Sequence, residues 1–164
     1  MHLSRHADYA LRIMLDLAAK PSSHIGEIAR RKATPPAFSA KIVRDLVRAG
    51  LVKSIRGRKG GVSIAREPSA ITLLQVIEAV DGPLSLALCV HGENSCPLSR
   101  SCPARPLFLR LQRIVTQELK AVTLEDLVTM ENEGEKGGHA VGGGNQKRSG
   151  KRGSQAASFR LASR

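Results

Sequence analysis

Three cysteines lie close together in the second half of the chain, and their thiols could bind a soft metal or respond to oxidants. They are Cys89, Cys96 and Cys102, separated by six and then five residues. Thiolates hold iron–sulfur cores, and a loop containing glycine and serine would let three sulfurs converge on one core. Zinc is an alternative, although the paired spacing usual for structural zinc is lacking. The thiols could also act directly as redox sensors or pack as small apolar side chains.

Basic side chains form a second candidate site on a helix predicted over residues 36–49. Lys41, Arg44 and Arg48 lie at positions i, i+3 and i+7, and therefore on one helix face. Apolar residues are expected to form the opposite, inward face: Ile42, Val43, Leu46 and Val47. A basic ridge of this kind suits a helix in the major groove of DNA, although it could also be a solvated surface.

A basic hairpin is predicted directly after this helix. Two runs rich in β-branched residues, 51–55 and 62–65, flank a glycine-containing tip that includes Arg56, Arg58 and Lys59. The negative potential of a narrow minor groove attracts arginine, so Arg56 or Arg58 could enter that groove. The glycines could instead hold a phosphate, but no Walker pattern follows a strand here.

The elements that must position these residues are mostly helical. Apolar spacing and capping residues predict helices over residues 5–19, 24–32, 36–49, 72–80 and 103–122. Ser4 is the expected cap of the first helix, and the second and third form a helix-turn-helix. The last helix carries a long apolar face, which could pack on its own domain or against the same helix of a second subunit.

The expected fold class is therefore mainly α with a small β-hairpin wing: a winged helix-turn-helix followed by a long dimerisation helix. We expect a DNA-binding domain over residues 1–82, and a cysteine loop with the dimerisation helix over 83–130. Residues 131–164 are rich in Gly, Ser, Lys and Arg with few periodic apolar residues, so we expect a disordered basic tail.

Composition restricts the class of protein and its partners. The chain has 26 Lys and Arg against 14 Asp and Glu, and its net charge of +12 favours a polyanionic partner. Aromatic residues are scarce, which favours duplex DNA over single strands bound by stacking. No stretch resembles a membrane span or a signal peptide, so we expect a cytoplasmic protein. No catalytic constellation is apparent, which argues against an enzyme and leaves a winged-helix protein-interaction module as the stronger rival.

Several motifs together resemble the Rrf2 family of bacterial winged-helix regulators, over residues 1 to about 130. They are LSRHADYALR at 3–12, GEIA at 26–29, LV at 51–52 with IRGRKGG at 55–61, the three spaced cysteines, and TLEDLV at 123–128. The resemblance implies a transcriptional regulator that binds a double-stranded operator as a homodimer. It also implies that the long helices cross in the dimer, that recognition helices enter successive major grooves, and that the wings enter the minor groove.

In cluster-binding members of that family the three cysteines hold an iron–sulfur cluster, so the resemblance implies a two-iron or four-iron cluster here. Some members add a histidine three residues after the last cysteine, but that position is Arg105, which cannot be a ligand. Members that sense nitric oxide use an acidic residue near the start of the first helix of the second subunit, and Asp8 occupies the matching place. His91 is an alternative ligand. Asp8 could also have no role as a ligand and be an ordinary carboxylate that the dipole at the start of the first helix favours.

The resulting hypothesis is a regulator, most simply a repressor, that responds to nitric oxide, iron or redox state. The cluster would brace the cysteine loop against the first helix of the partner subunit and so set the spacing of the recognition helices. Differences of ~1 to 3 kcal/mol between two states change operator affinity roughly five- to 150-fold. The predicted roles on DNA are base or methyl contacts for Phe38, Ser39 and Lys41, phosphate contacts for Arg44 and Arg48, and minor-groove contacts for Arg56 and Arg58.

Overall fold

The computed structural model describes residues 3–57, 60–91 and 95–137, with side chains described as far as residue 133. The helices in this part of the chain are α1 (Arg5–Ala19), α2 (Ile25–Arg31), α3 (Pro36–Arg48), α4 (Leu73–Asp81), α5 (Arg105–Ala121) and α6 (Leu124–Gly137). The strands are β1 (Ser22–Ser23), β2 (Val52–Ile55) and β3 (Gly61–Ile64), and two short 3-10 helices span Pro68–Ala70 and Leu88–Val90. This element order matches the predicted winged helix-turn-helix followed by a long helix.

Helix α1 lies at the centre of the hydrophobic core. It is capped as predicted, because the Ser4 hydroxyl accepts a hydrogen bond from the Ala7 N–H at 3.0 Å. Apolar residues recur every three or four positions, so one face is completely buried: Ala7, Ala10, Ile13, Met14 and Leu17. Helices α3, α4 and α6 all pack against α1, which therefore joins the helix-turn-helix to the C-terminal part of the fold.

Helices α2 and α3 form the predicted helix-turn-helix, and α3 begins with a proline at its first position. Of the residues predicted to face inward, Ile42, Val43 and Leu46 are buried, whereas Val47 is 36% exposed. The prediction for Val47 was wrong because this residue lies at the edge of the apolar stripe, in the last turn of α3. The buried stripe fixes the orientation of α3 and therefore the direction of its opposite face.

Strands β2 and β3 form the predicted antiparallel hairpin, with Ile55 opposite Gly61. The short strand β1 pairs with the other edge of β3, giving the order β1-β3-β2. The sequence analysis missed β1, because Ser22 and Ser23 carry no β-branched signal and the strand is too short to show alternation. A Cβ atom at Gly61 would lie 2.7 Å from the carbonyl oxygen of Ser23, so the glycine permits this close approach.

Backbone hydrogen bonds join the start of α4 to the turn between α5 and α6. The Leu73 N–H donates to the Val122 carbonyl at 2.9 Å, and the Leu124 N–H donates to the Ile71 carbonyl at 2.9 Å. Thr72 begins α4 with a capping box. Because Leu124 is completely buried, α6 returns to the core after α5 and packs against α1.

Helix α6 was not predicted, and it extends to Gly137, so the first residues assigned to the tail from 131 onward are helical. A capping box begins it: Asp126 accepts hydrogen bonds from the hydroxyl and the N–H of Thr123 at 2.7 and 2.8 Å, and its own N–H donates to the Thr123 hydroxyl at 3.2 Å. These side-chain and backbone hydrogen bonds lower the pKa of Asp126. The rest of the predicted tail, residues 138–164, lies outside the described residues.

Helix α5 presents an apolar face to the surface. No residue of this helix is buried, and its large exposed apolar residues are Leu107, Leu109, Leu111 and Ile114. In the part of the chain that the structure describes, α5 and the other helices all lack the length and apolar character needed to cross a membrane. Packing within its own domain, the alternative to the predicted packing against a second subunit, leaves this face of α5 incompletely buried in a single chain.

Candidate DNA-binding face and cysteine segment

Helix α3 presents three cations on one exposed face. Lys41, Arg44 and Arg48 are all exposed, as their spacing predicts. The Arg48 side chain is 81% exposed and pairs with Asp45 at 3.2 Å, an exposed contact that contributes little to stability. We call these three cations the basic ridge. Because the opposite side of α3 is packed in the core, the basic ridge is held on a rigid element and is accessible to a polyanion.

Ser39 does not lie on this exposed face. Its side chain is completely buried, its hydroxyl lies 2.7 Å from the hydroxyl of Thr34, and it donates to the Pro35 carbonyl at 3.1 Å. The structure therefore corrects the prediction that Ser39 contacts a base. A serine hydroxyl can bond to local backbone and side-chain groups at a helix start, and here it joins the first turn of α3 to the turn before it.

Phe38 lies 45% exposed near the start of α3, and aromatic residues of α1 hold it there. Its ring makes edge-on contacts with His6 and Tyr9, with ring centroids 5.5 and 6.3 Å apart. The Arg12 guanidinium lies 5.7 Å from the centroid of Tyr9 and pairs with Asp8 at 2.8 Å. A continuous series of contacts thus connects Asp8 on α1 to Phe38 on α3.

The β2–β3 hairpin occupies the place of the predicted wing. Arg56 is exposed directly after β2. Gly57 has a φ of 115°, which side-chain-bearing residues rarely adopt, and its carbonyl accepts a hydrogen bond from the Gly60 N–H at 2.8 Å. Arg58 and Lys59, the other cations predicted at this tip, lie outside the described residues.

The three cysteines lie in residues 88–102, which we call the cysteine segment. Cys89 is buried, while Cys96 and Cys102 are half-buried. Arg105 donates from its backbone N–H to the Cys102 carbonyl at 3.2 Å and from Nε to the Cys89 carbonyl at 3.4 Å. One arginine at the start of α5 therefore joins the backbone at the first and third cysteines. Residues 92–94 of the segment lie outside the described residues.

The donor chemistry of the cysteine segment fits a soft metal, because its three free thiols are the ligand type that iron–sulfur clusters require. Arg105 cannot take part, since a guanidinium has only N–H donors and no acceptor. Among the described residues, no three His, Cys, Asp or Glu side chains lie close enough together to hold one metal ion. The thiols must therefore converge, or a second subunit must contribute a ligand, before a cluster could bind.

The two candidates for an additional ligand lie near the start of α1. The Asp8 side chain is 43% exposed and is held by Arg12. His91 is exposed and lines a groove of about 290 Å³ together with Leu3 and Ser4, just before α1. The structure thus places His91, but not Asp8, on a groove with the residues that directly precede α1.

An ion pair between a buried aspartate and a partly exposed arginine, which braces the helix-turn-helix, was missed by the sequence analysis. Asp16 on α1 is 4% exposed and accepts a hydrogen bond from Arg31 Nε at 2.9 Å and a second one from Nη2. Arg31 also donates to the Ser23 hydroxyl at 2.8 Å and lies 3.7 Å from Glu27. The hydrogen bonds to Asp16 raise the pKa of Arg31. The sequence signal that could have indicated this ion pair was an acidic residue beside the apolar stripe of α1.

The fold and the basic ridge define a winged helix-turn-helix protein. The chain belongs to the Rrf2 family, since the family model described as "Iron-dependent Transcriptional regulator" matches residues 3–130. It is therefore a transcriptional regulator and not an enzyme, and the predicted family and fold class are confirmed.

Relatives and solved structures agree with this assignment. Protein aau3 of Rhizobium meliloti is 37% identical over 131 residues, covering 78% of this chain and 85% of the relative. The HTH-type transcriptional regulator NsrR of Shouchella clausii is 30% identical over 137 residues, covering 81% and 92%. The structure of CymR, the global cysteine regulator of B. subtilis, matches with a TM-score of 0.68 and 34% identity, covering 79% of this chain and 98% of that one. T. potens IscR matches with a TM-score of 0.65 and 25% identity, covering 87% and 94%.

Proposed function

We propose that this chain binds a double-stranded DNA operator as a homodimer, and that an iron–sulfur cluster on its three cysteines controls operator affinity. The observation that carries the DNA-binding part is the basic ridge, because its three exposed cations lie on a helix whose other side is fixed in the core. Membership of a regulator family supports the same conclusion. A protein-docking surface would gain little from a row of three exposed like charges.

The proposed contacts follow from the position of each side chain. Lys41 and Phe38 lie toward the start of α3, where recognition helices contact base edges, so we assign them to bases or thymine methyl groups. Arg44 and Arg48 lie farther along the ridge and are assigned to phosphates. Arg56 is assigned to the minor groove, as is Arg58 from the sequence of the same hairpin tip, and Lys59 is assigned to DNA binding without a particular groove.

The proposed dimer uses the exposed apolar face of α5. Four large apolar side chains between Leu107 and Ile114 are more than a third exposed in the single chain. Leu107, Leu111 and Ile114 share one side of the helix, and contiguous exposed apolar surface of this kind usually marks an interface. Packing α5 against the same helix of a second subunit would bury these side chains and set the distance between two basic ridges.

The proposed cluster would be held by Cys89, Cys96 and Cys102, with Asp8 of the second subunit as a further ligand and His91 as the alternative. A bound cluster would supply a centre that reacts with oxidants or nitric oxide. In this chain, Asp8 must leave Arg12 before it can act as a ligand.

A change at Asp8 can reach the recognition helix through few contacts. Arg12 lies over Tyr9, and the Tyr9 ring contacts Phe38 near the start of α3. Loss of the pair between Asp8 and Arg12 would alter the support of Phe38. This series of contacts gives a physical route from ligand state to operator affinity.

A second candidate is a regulator without a cluster, in which the thiols themselves respond to oxidants. It is favoured by the separation of the potential ligands among the described residues and by the likeness to CymR, a cysteine regulator. Cys96 and Cys102 are the more accessible thiols, and accessible thiols oxidise more readily than buried ones.

One titration tests the DNA-binding part of the proposal. Fluorescently labelled duplexes of random sequence are enriched on the full-length protein, and the enriched duplex is then titrated at several salt concentrations. We expect strong preference for the enriched sequence and an affinity that falls steeply with salt. Equal, salt-insensitive affinity for all duplexes would contradict operator binding.

Absorption spectroscopy tests the cluster. The protein is purified without oxygen, and iron and acid-labile sulfide are assayed on the same sample. Iron–sulfur absorption that disappears in Cys96→Ala, and changes in Asp8→Ala, is the expected result. An iron-free protein that resists reconstitution would contradict the proposed cluster. Oxidant-dependent DNA binding in that protein would support the second candidate, a thiol switch.

A further inference from the structure

Side chains of two helices hold the short piece of chain that runs from α4 to the cysteine segment. We call this piece, residues 84–86, the lead-in. The Leu84 N–H donates a hydrogen bond to Oε1 of Glu78 on α4 at 3.2 Å. From α5, Nε2 of Gln112 donates to the Leu84 carbonyl at 2.8 Å, and Oε1 of Gln112 accepts from the Leu86 N–H at 2.9 Å. One glutamine side chain therefore satisfies two backbone groups of the lead-in.

Helix α5 also holds the chain at Cys89, which follows Leu86 by three residues. The Cys89 carbonyl accepts a hydrogen bond from Nε of Arg105 at 3.4 Å, and α5 packs against the 3-10 helix that contains Cys89. Cys89 is the buried thiol, whereas Cys96 and Cys102 are half-buried. The backbone is thus fastened to α5 both before Cys89 and at Cys89 itself.

The proposed dimer contact lies on the opposite side of α5. At about 100° per residue, Gln112 and Arg105 share one side of the helix and lie roughly opposite the exposed Leu107 and Ile114. Glu78 extends the same contacts to α4, which packs against α1 and α3. Helix α5 therefore stands between the cysteine segment and the surface proposed to meet the second subunit.

We propose that Gln112 is a positioning residue, which keeps Cys89 buried and couples the cysteine segment to the α5 contact of the homodimer. The inference rests on the proposed function, since it names how the cysteines are linked to operator binding. An operator that engages both subunits fixes their separation and therefore the position of α5. Coupling between two sites is reciprocal, so operator binding should restrict the lead-in just as a change at Cys89 should alter operator affinity.

The test measures the rate at which iodoacetamide alkylates each thiol, followed by mass spectrometry, in the reduced full-length chain after chelation of any bound iron. Gln112→Met keeps the length of the side chain but removes both hydrogen bonds to the lead-in. Gln117→Met is the matched control, because Gln117 is exposed on the same helix. Gln112→Glu keeps the acceptor for Leu86 and removes the donor to Leu84, so it tests the same contacts if Gln112→Met does not fold.

Without DNA, we expect Cys89 to react on the order of ten-fold faster in Gln112→Met than in wild type, because two hydrogen bonds that oppose local opening are lost. The rates of Cys96 and Cys102 should change little, and the Gln117→Met control should match wild type. Saturating amounts of the enriched operator duplex should slow alkylation of Cys89 at least about five-fold in wild type. Most of this protection should be lost in Gln112→Met.

A wild-type rate at Cys89 in the Gln112 variants would overturn the proposal. Equal acceleration of all three thiols would also overturn it, since that result indicates a general loss of stability. Specific operator binding that leaves the Cys89 rate of wild type unchanged would overturn the coupling and leave the proposed operator binding intact. Absence of any operator preference in wild type would overturn the proposed function and the coupling together, while the rates without DNA would still decide whether Gln112 positions Cys89.

Discussion

Replacement of Ser39 by alanine separates the stability of the recognition helix from its contacts with DNA. The Ser39 hydroxyl lies 2.7 Å from that of Thr34, and both side chains are buried. Ser39→Ala removes one oxygen and leaves the hydroxyl of Thr34, a residue that is 5% exposed, without this hydrogen bond. An unsatisfied buried polar group costs about 1–3 kcal/mol, so the free energy of unfolding should fall by that amount.

Chemical denaturation measures this loss, at one fixed protein concentration because the stability of a dimer depends on concentration. Titration against operator duplexes substituted at single positions should show the wild-type base preference. Lys41→Ala is the matched control on the exposed side of α3. Its unfolding free energy should lie within about 0.5 kcal/mol of wild type, while its base preference changes.

The opposite pattern would refute the reasoning. If Ser39→Ala kept wild-type stability and altered base preference, the Ser39 hydroxyl would contact DNA. Its role would then not be to stabilise the start of α3. If Lys41→Ala changed neither affinity nor preference, the basic ridge would be a solvated surface.

Three other predictions follow from the same structure. Arg44→Ala should weaken binding to all duplexes alike and reduce the salt slope by about one, measured by fluorescence anisotropy; altered base preference would contradict a phosphate contact. Leu111→Lys should shift the protein toward monomer in analytical ultracentrifugation, because it places a charge in the proposed α5 interface, and an unchanged dimer would exclude that face. Because hydrogen bonds from Thr123 lower the pKa of folded Asp126, its carboxylate stabilises the fold above the unfolded pKa, and this contribution is lost as pH falls through the folded pKa. Denaturation at neutral and acidic pH should therefore show a smaller loss on acidification in Asp126→Asn, and an identical loss would contradict the capping role.

Much of the DNA-binding face could be predicted from the sequence, because its signals are local. The cap at Ser4, the proline that begins α3 and the spacing of the basic ridge each depend on residues within a few turns of one helix. The same holds for the β2–β3 hairpin, whose β-branched runs and glycines lie next to each other. Periodicity and capping therefore predicted the elements and the exposed cations that they carry.

The candidate cofactor site could be predicted less completely. The sequence identifies the three thiols and shows that Arg105 replaces a possible ligand. It does not show that Arg105 bonds to the backbone at Cys89 and Cys102, or that Asp8 is held by Arg12. These contacts depend on where separate segments meet in space.

The sequence by itself determined the family, the helix-turn-helix, the basic ridge and the three thiols, since these follow from residue type and spacing. Tertiary structure alone decided that Ser39 is buried, that Val47 is exposed, and that Asp16 braces α1 against α2 through Arg31. It also decided that α6 returns to α1 and places Glu131 beside Lys32, directly after α2. The physical reason is that local spacing sets which face a side chain occupies, whereas burial and pairing depend on the distant segment that packs against that face.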